Sequence, residues 1–221
     1  NTLCVSKITD MSQLFKGHSA FFERRIGNWD VSNVLKMDSL FANQTAYVPI
    51  DNWDVSSVTD MSHMFAFARV YNSDISGWNV SAVADMSYMF YQNNSFNTPI
   101  GNWDVSNVTD MSNMFYGASD FNQPIGNWNV SNVTNMAQMF HRATNFSQDL
   151  TNWDVSSVIN MQGMFSGSWS SPLSFNGDIS SWNTSAVQDM SNMFFSSSFD
   201  QDIGNWNVSS VTDMNTLFVK T

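Results

Sequence analysis

The sequence predicts a repeat solenoid, a fold in which similar coils stack on one another. A thirteen-residue stretch that begins with tryptophan and ends with phenylalanine recurs eight times, and the copy over 103–115 is WDVSNVTDMSNMF. The copies follow one another at a period of about 25 residues. Self-similarity at a fixed period of this length is the signature of stacked repeats. We therefore expect a single domain over 1–221, built from about eight to nine coils of ~25 residues.

Each copy is marked by a tryptophan and by a phenylalanine twelve residues later. The tryptophans are Trp29, Trp53, Trp78, Trp103, Trp128, Trp153, Trp182 and Trp206. The phenylalanines are Phe41, Phe65, Phe90, Phe115, Phe140, Phe165, Phe194 and Phe218. Residues 1–28 hold a degenerate first coil, and eight repeats follow over 29–218.

Four apolar positions of the repeat never change: the tryptophan, a valine five residues later, a methionine eight residues later and the phenylalanine. A second sulfur position holds methionine except for Leu40 and Leu217, and all fifteen methionines fall in these two columns or their equivalents in the first coil. A single coil cannot bury its own apolar stripe, so neighbouring coils must cover it. We expect the invariant columns to form the core, with methionine as adaptable filler.

The two halves of the repeat predict different local structures. The stretch VTDMSNMF, over 108–115, places apolar residues at i, i+3, i+6 and i+7, which favours a short helical or 3-10 turn segment. The stretch FNQPIGNW, over 121–128, is interrupted by Gly, Pro and Asn and leaves room for a short strand, paired in parallel with its neighbours. All length variation lies between phenylalanine and the next tryptophan, so variable loops are expected on one side.

Composition excludes several classes of partner. The net charge of −11 and the pI near 4.2 argue against nucleic acid and anionic membranes. No apolar run of 18 residues occurs, so we expect no direct membrane insertion. Cys4 is the only cysteine, which excludes an internal disulfide.

The repeat motif resembles the bacterial surface protein repeat family, which includes mycoplasma lipoproteins and BspA-like surface proteins. The motif WDVSNVTDMSNMF, followed by FNQPIGNW, carries the resemblance, and it extends over essentially the whole chain. The resemblance implies a leucine-rich-repeat-like solenoid that is secreted or displayed at the cell surface. Members of the family are linked to adhesion, and none of their residues has an assigned catalytic role.

No constellation for catalysis, cofactor binding or metal binding emerges from the sequence, and we expect no enzyme activity and no cofactor. Catalysis needs a set of groups placed once in a pocket, whereas the polar residues here recur along the chain. The histidines, His18, His63 and His141, are isolated. A calcium ladder along the column after each tryptophan, which begins with Asp30, is a weaker alternative, because the glycine-rich turns with paired Asp of repeat calcium sites are absent.

The leading functional hypothesis is a non-enzymatic extracellular or cell-surface scaffold that mediates protein–protein or cell adhesion. Its ligand would be a protein or glycan surface, bound by unusual residues in the variable loops, because aromatic and arginine side chains anchor interfaces. These candidates are Phe21, Phe22, Arg24, Arg25, Phe67, Arg69, His141, Arg142 and Trp169. Possible glycosylation sites in the loops are Asn43, Asn93 and Asn145.

The alternative hypothesis is a structural subunit of an extracellular fibre or layer. Neither end of the sequence shows a polar capping repeat, and the first coils are basic while the last are acidic. Either copies of the chain stack head to tail, or the repeats continue in sequence beyond the two ends. A third possibility, an ice-binding array of threonines, is weakened because Leu35, Ala84, Ile159 and Gln188 interrupt the threonine column.

Overall fold

The computed structural model describes residues 5–18, 26–45, 49–68 and 73–219. Within these ranges the backbone forms turns and isolated bridges, with no α-helix, no 3-10 helix and no strand longer than one bridge residue. No helix of the described residues is long and apolar enough to cross a membrane. The fold is therefore built from contacts between repeats and not from regular elements within them.

Consecutive repeats lie side by side and in register, joined by a row of parallel bridges. One residue per repeat, directly before the first methionine, pairs with its equivalent in the next repeat. The row consists of Asp10, Lys36, Asp60, Asp85, Asp110, Asn135, Asn160, Asp189 and Asp213. Since every bridge joins equivalent positions, each sequence column becomes a physical row of neighbouring side chains.

The predicted helical segments are absent, because the backbone makes its hydrogen bonds to the next repeat. In the central repeat, the N–H groups of Met111, Asn113 and Phe115 donate to carbonyls of the following repeat at 2.8–3.0 Å. The residues between them close tight turns, as when Met114 N–H donates to Met111 O at 3.2 Å. Nucleation of a helix of only two turns is unfavourable, whereas neighbouring repeats satisfy the same backbone N–H groups without that cost. The prediction of helical or 3-10 turns is wrong for the described residues.

Residues in the left-handed conformation also prevent the predicted helix from forming. One position per repeat, ten residues after the tryptophan, has a φ of 55° to 59°; it holds Gln13, Ser39, His63, Tyr88, Asn113, Gln138, Gly163, Asn192 and Thr216. A second left-handed position follows four residues later, as at Gly117, with a φ of 67°. Since L-residues adopt this conformation singly and not in helices, the chain folds as a run of turns.

The predicted strands of the linking half are absent as well. Residues 121–128 contain no bridge, whereas the bridge row runs through the tryptophan-to-phenylalanine half. The longest linking segment has two isolated bridges of its own, between Ser168 and Ser171 and between Leu173 and Ser197. The bridge between Leu173 and Ser197 is the one parallel bridge between linking segments of the described residues, so the repeated parallel pairing lies mainly in the other half of the repeat.

The invariant columns form the core, as predicted. Apart from the two end repeats, their Trp, Val, Met and Phe side chains are buried, and most are fully covered. The phenylalanine rings stack along the molecule, with centroids 5.7 Å apart between Phe90 and Phe115 and between Phe115 and Phe140. A second phenylalanine column, which includes Phe121, packs against the first at 3.8 Å from Phe115. Each coil therefore supplies apolar surface that its neighbours cover.

The indole nitrogens link successive repeats. Nε1 of Trp128 donates to the carbonyl of Ile100, and Nε1 of Trp103 donates to that of Ile75, at 3.1–3.2 Å. The same bond recurs from Trp53 to Trp206. A buried donor without a partner costs free energy, and this bond satisfies the N–H of each buried indole while tying it to the preceding repeat.

Candidate binding face

Aromatic side chains and one arginine gather on the surface formed by the residues just before and after the core phenylalanine. We call this surface the aromatic face, and it comprises His63, Phe67, Tyr88, Tyr91, Tyr116, His141 and Arg142. The histidines and tyrosines are half-buried, whereas Phe67 and Arg142 are exposed. The face extends over four consecutive repeats, since each residue keeps the place that its column gives it.

The rings of the aromatic face contact one another from repeat to repeat. Tyr91 stacks on Tyr116 with ring centroids 4.6 Å apart, and Phe67 meets Tyr91 edge-on at 5.2 Å. His63 stacks on Tyr88 at 4.4 Å, and Tyr88 lies 5.4 Å from Tyr91. Such aromatic pairs hold each other in place and present a preorganised surface.

Phe67 and Arg142 occupy the second left-handed position of their repeats, with φ angles of 58° and 59°. The same column holds Gly17, Gly117 and Asn43, which are residue types that adopt this backbone readily. For other residues the left-handed conformation costs about 1–2 kcal/mol. Bulky side chains at this position therefore oppose stability, as they do at the first left-handed position, which holds His63 and Tyr88.

His141 is held neutral by its surroundings. Its ring lies 4.4 Å from that of Tyr116, and its Nδ1 lies 2.6 Å from the hydroxyl of Ser166. Because the Ser166 hydroxyl itself donates to Gly163 O, His141 Nδ1–H is the donor of that pair. Burial, and secondly the charge of Arg142, lower the pKa of His141 to about 4.

A shallow groove borders the aromatic face, lined by Phe67, Gln92, Asn94 and Ser95. Burial raises the pKa of the neighbouring Tyr91 phenol, as do Tyr116 and Tyr88, while the positive charge of Arg142 acts in the opposite direction. Tyr91 therefore stays a neutral hydroxyl within the electrostatic reach of Arg142. The groove and its rim present amides, hydroxyls and aromatic edges together.

Trp169, predicted as an interaction residue, lies on the longest linking segment and is 64% exposed. Its ring meets that of Phe195 edge-on at 5.4 Å. Phe195 directly follows a core phenylalanine and so belongs to the column of Tyr91, Tyr116 and His141. Trp169 thus extends the same side of the molecule beyond the aromatic face.

The structure brings together Phe67, His141 and Arg142 of the predicted interaction residues. The other predicted residues, Phe21, Phe22, Arg24, Arg25 and Arg69, lie outside the described residues, as does Cys4. Sequence reasoning missed the tyrosines at 88, 91 and 116. The signal was present, because the column after the core phenylalanine holds Tyr91, Tyr116, His141 and Phe195, but it becomes visible only when repeats are compared column by column.

The glycosylation candidates differ in access. Asn43 and Asn145 are exposed, whereas Asn93 is fully buried, and its Nδ2 donates to Phe65 O at 3.4 Å. The prediction of a glycan at Asn93 is wrong for the folded chain, because the amide nitrogen that would accept the sugar is inside the core. Its place in a linking segment suggested exposure, but it follows the core phenylalanine by three residues and points inward.

The column after each tryptophan, weighed as a calcium ladder, makes turns instead. The Oδ1 atom of Asp54 accepts hydrogen bonds from Ser56 N–H at 3.1 Å and from the Ser56 hydroxyl at 2.6 Å, which lowers the pKa of Asp54. Equivalent Asp–Ser or Asn–Ser pairs recur along the molecule. Within the described part of the chain, no three His, Cys, Asp or Glu side chains converge as a metal site would require.

Comparison with known proteins gives one family. The family described as "Mycoplasma protein of unknown function, DUF285" matches residues 1–98, 68–172 and 148–221. The three overlapping matches cover the whole sequence and confirm that it is a repeat protein. No curated protein matches, and no solved structure matches.

Proposed function

The chain belongs to this Mycoplasma family of unknown function, and from that premise we propose that it is a non-enzymatic binding scaffold. Its ligand-binding surface would be the aromatic face together with Trp169. The stacked repeats would serve to hold this surface rigid. The ligand would be a protein or glycan on a cell or in the surrounding matrix.

We propose that the architecture is a leucine-rich-repeat-like solenoid. The row of parallel bridges from Asp10 to Asp213 supports this class, as does the burial of the same columns in repeat after repeat. An electron micrograph of the purified chain would test it, since a solenoid gives an elongated particle and a collapsed globule would contradict it.

One observation carries the binding role: the bulkiest exposed side chains in the linking half lie on one side of the molecule. Phe67 is 44% exposed and Trp169 is 64% exposed, and both contact rings of the column that follows the core phenylalanine. Exposed aromatic groups on a rigid support are typical of interface anchors. Phe67 keeps this place although its backbone is left-handed.

The experiment replaces the anchors and compares them with equally exposed apolar residues elsewhere. We expect Phe67→Ser with Trp169→Ser to abolish attachment of the purified protein to cultured animal cells and to a panel of matrix proteins. The matched control is Leu35→Thr with Ile159→Thr, because these side chains are 46% and 43% exposed and share a column with Thr59. Attachment that is equal for both double variants would reject the aromatic face as the binding surface.

We further propose that the protein is secreted or displayed at the cell surface, in line with the resemblance of its motif to bacterial surface protein repeats. The acidic composition and the repeated polar columns suit an exposed location. Labelling of intact source cells with a membrane-impermeant reagent provides the test. Protection of the protein in intact cells, with labelling after lysis, would contradict this location.

A second proposal, a structural subunit of a fibre or layer, is favoured by the nature of the contact between repeats. Each inner repeat presents one set of hydrogen-bonding groups to the next repeat and a different set to the previous one, so the contact is heterologous and does not close on itself. Copies of the chain joined through this contact would form a filament. Static light scattering over a wide concentration range decides the matter, and a constant monomer mass rejects the filament.

A further inference from the structure

We propose that Arg142 anchors the carboxylate of an acidic sugar bound on the aromatic face. The inference rests on the proposed function, because it assigns a ligand chemistry to the face argued above to bind. It concerns the part of the face around Arg142, Gly117 and the two stacked tyrosines, Tyr91 and Tyr116.

Arg142 is exceptional in this acidic protein. It is the only Lys or Arg among the described residues that follow Lys36, a stretch in which aspartates recur in every repeat. Its guanidinium forms no salt bridge and no hydrogen bond with any described residue. Only the backbone N–H of Arg142 donates a hydrogen bond, to Ser166 O at 2.9 Å. An exposed guanidinium without a carboxylate partner, held on a rigid stack, is available for an anion from outside.

The column of Arg142 also carries an amide. From repeat to repeat this column reads Phe67, Gln92, Gly117 and Arg142, so the neighbour of Arg142 has no side chain. The Gln92 amide lies over Gly117, where an added Cβ would come within 2.6 Å of Gln92 Nε2. Gly117 is itself buried, so the Gln92 amide covers its backbone and is the side chain that precedes Arg142 along this column.

The tyrosines beside this column supply further hydrogen-bond donors. Tyr116 directly precedes Gly117 in the chain and Tyr91 directly precedes Gln92, and their rings stack at 4.6 Å. Both tyrosines are half-buried, and each carries a hydroxyl that can donate a hydrogen bond. A planar guanidinium binds a carboxylate through two parallel bonds, and nearby hydroxyls strengthen such a site.

Charge complementarity favours a sugar with a single carboxylate over an acidic peptide. The net charge of −11 repels a ligand with many negative charges, but it tolerates a neutral chain that carries one. The hydroxyls of a sugar also need polar partners, and the groove next to Tyr91 offers Gln92, Asn94 and Ser95. The chemistry of the site therefore fits a sialic or uronic acid at the end of a glycan.

The test measures binding of defined sugars to the whole chain by NMR titration. The probes are a sialic-acid-terminated trisaccharide, a glucuronic-acid disaccharide, neutral lactose and a short peptide with one glutamate. We expect at least one acidic sugar to bind about 10-fold more tightly than lactose, a difference of about 1.4 kcal/mol. Absence of binding by both acidic sugars, or binding of the peptide alone, overturns the proposal.

Two substitutions and one control locate the site. Arg142→Gln copies Gln92 of the same column, whose φ is 55°, so the variant keeps a side chain that this backbone accepts. We expect it to lose about 10-fold in affinity for the acidic sugar, the effect of one charge-assisted contact. Tyr116→Phe removes only a hydroxyl and should weaken binding less, while Lys36→Gln removes a positive charge elsewhere and should change nothing. Equal losses for Arg142→Gln and Lys36→Gln would show general charge attraction and overturn the proposal.

The cell-attachment experiment separates this inference from the proposed function. If attachment depends on Phe67 and Trp169 while no acidic sugar binds, the sugar proposal fails and the scaffold stands. If the acidic sugar binds through Arg142 while the Phe67 and Trp169 variant attaches normally, the ligand chemistry stands and the wider face is wrong.

Discussion

The core phenylalanine column and the column two residues after it lie close together in every repeat but are constrained in different ways. Phe65, Phe90, Phe115 and Phe140 are identical and have no exposed surface, and each stacks on its equivalents in the adjacent repeats. The later column holds Phe67, Gln92, Gly117 and Arg142 in the same four repeats. One column is uniform, and the other differs at every position.

The difference shows at which positions the neighbouring repeats restrict the residue type. A ring in the core column is enclosed by its own equivalents on both sides, so any change of volume leaves a cavity or a clash. In the later column the neighbours leave the outward side open, and the backbone alone sets a preference, for glycine or asparagine. Phe67, Gln92 and Arg142 depart from that preference, and their side chains are at least partly exposed.

The largest expected effect is the loss of a core ring. Phe115→Ala should reduce the free energy of unfolding by about 3–5 kcal/mol, because it leaves a cavity in contact with Phe90, Phe121 and Phe140. Urea denaturation measures the change. Tyr116→Ala, at the next residue and only half-buried, should cost about 1–2 kcal/mol. Equal losses for the two variants would abolish the distinction between the columns.

A smaller effect is expected where two repeats approach through their backbones. An added Cβ at Gly126 would lie 2.4 Å from Asp149 O, whereas at Gly77 it would meet nothing within 4 Å. Gly126→Ala should therefore destabilise by about 1–3 kcal/mol, as overpacking does. Gly77→Ala is the matched control and should be neutral or stabilising by up to about 1 kcal/mol. If thermal melts show the two variants alike, repeats are not as close at Gly126 as described.

The pH dependence of stability tests whether His141 of the aromatic face is buried in the folded chain. The pKa of His141 falls from 6.5 to about 4 on folding, so between these values the unfolded chain binds a proton that the folded chain does not. Stability is then fully present above pH 6.5 and declines as the pH falls toward 4. Because His141 is half-buried, solvent reduces the effect, and we expect a Tm difference of about 2–4 °C, equivalent to about 1 kcal/mol.

His141→Tyr provides the comparison for that measurement, since Tyr116 and Tyr91 occupy the same column and preserve the stacking. The variant should lose less stability than the parent between pH 7 and pH 4.5. Burial also lowers the pKa of His63, which leaves a residual slope of the same sign in both proteins. Superimposable pH profiles would contradict the burial of His141.

The smallest effect on stability is expected at the left-handed column itself. Replacing Arg142 by glycine relieves a backbone cost of about 1–2 kcal/mol and introduces an entropic cost of about 0.5–1 kcal/mol, so the Tm should change little. The same substitution should abolish acidic-sugar binding in the NMR titration. A large loss of stability would instead assign Arg142 a structural role.

Sequence reasoning anticipated the core and part of the candidate site. The columns of Trp, Val and Met were expected to be buried and are, and Phe67, His141, Arg142 and Trp169 were selected because they interrupt the repeat pattern. It missed Tyr88, Tyr91 and Tyr116, because each of them looks unremarkable within its own repeat. Their contacts at 4.6–5.4 Å arise only between repeats or across a turn.

The secondary structure was the part that sequence reasoning assigned wrongly. The apolar spacing of 108–115 fits a helix, but Met111, Asn113 and Phe115 donate their N–H groups to the neighbouring repeat. Periodicity reports which side chains point inward and does not report which carbonyl receives each N–H. A run of turns and a short helix can present the same apolar face.

The sequence by itself determined which residues are equivalent and which of them must be buried, because a constant spacing of twelve residues between Trp and Phe sets the columns without reference to shape. Only the tertiary structure decided where the backbone hydrogen bonds go and which columns meet at the surface. The physical reason is that both depend on groups about 25 residues apart in the chain, which are brought together only when one repeat lies against the next.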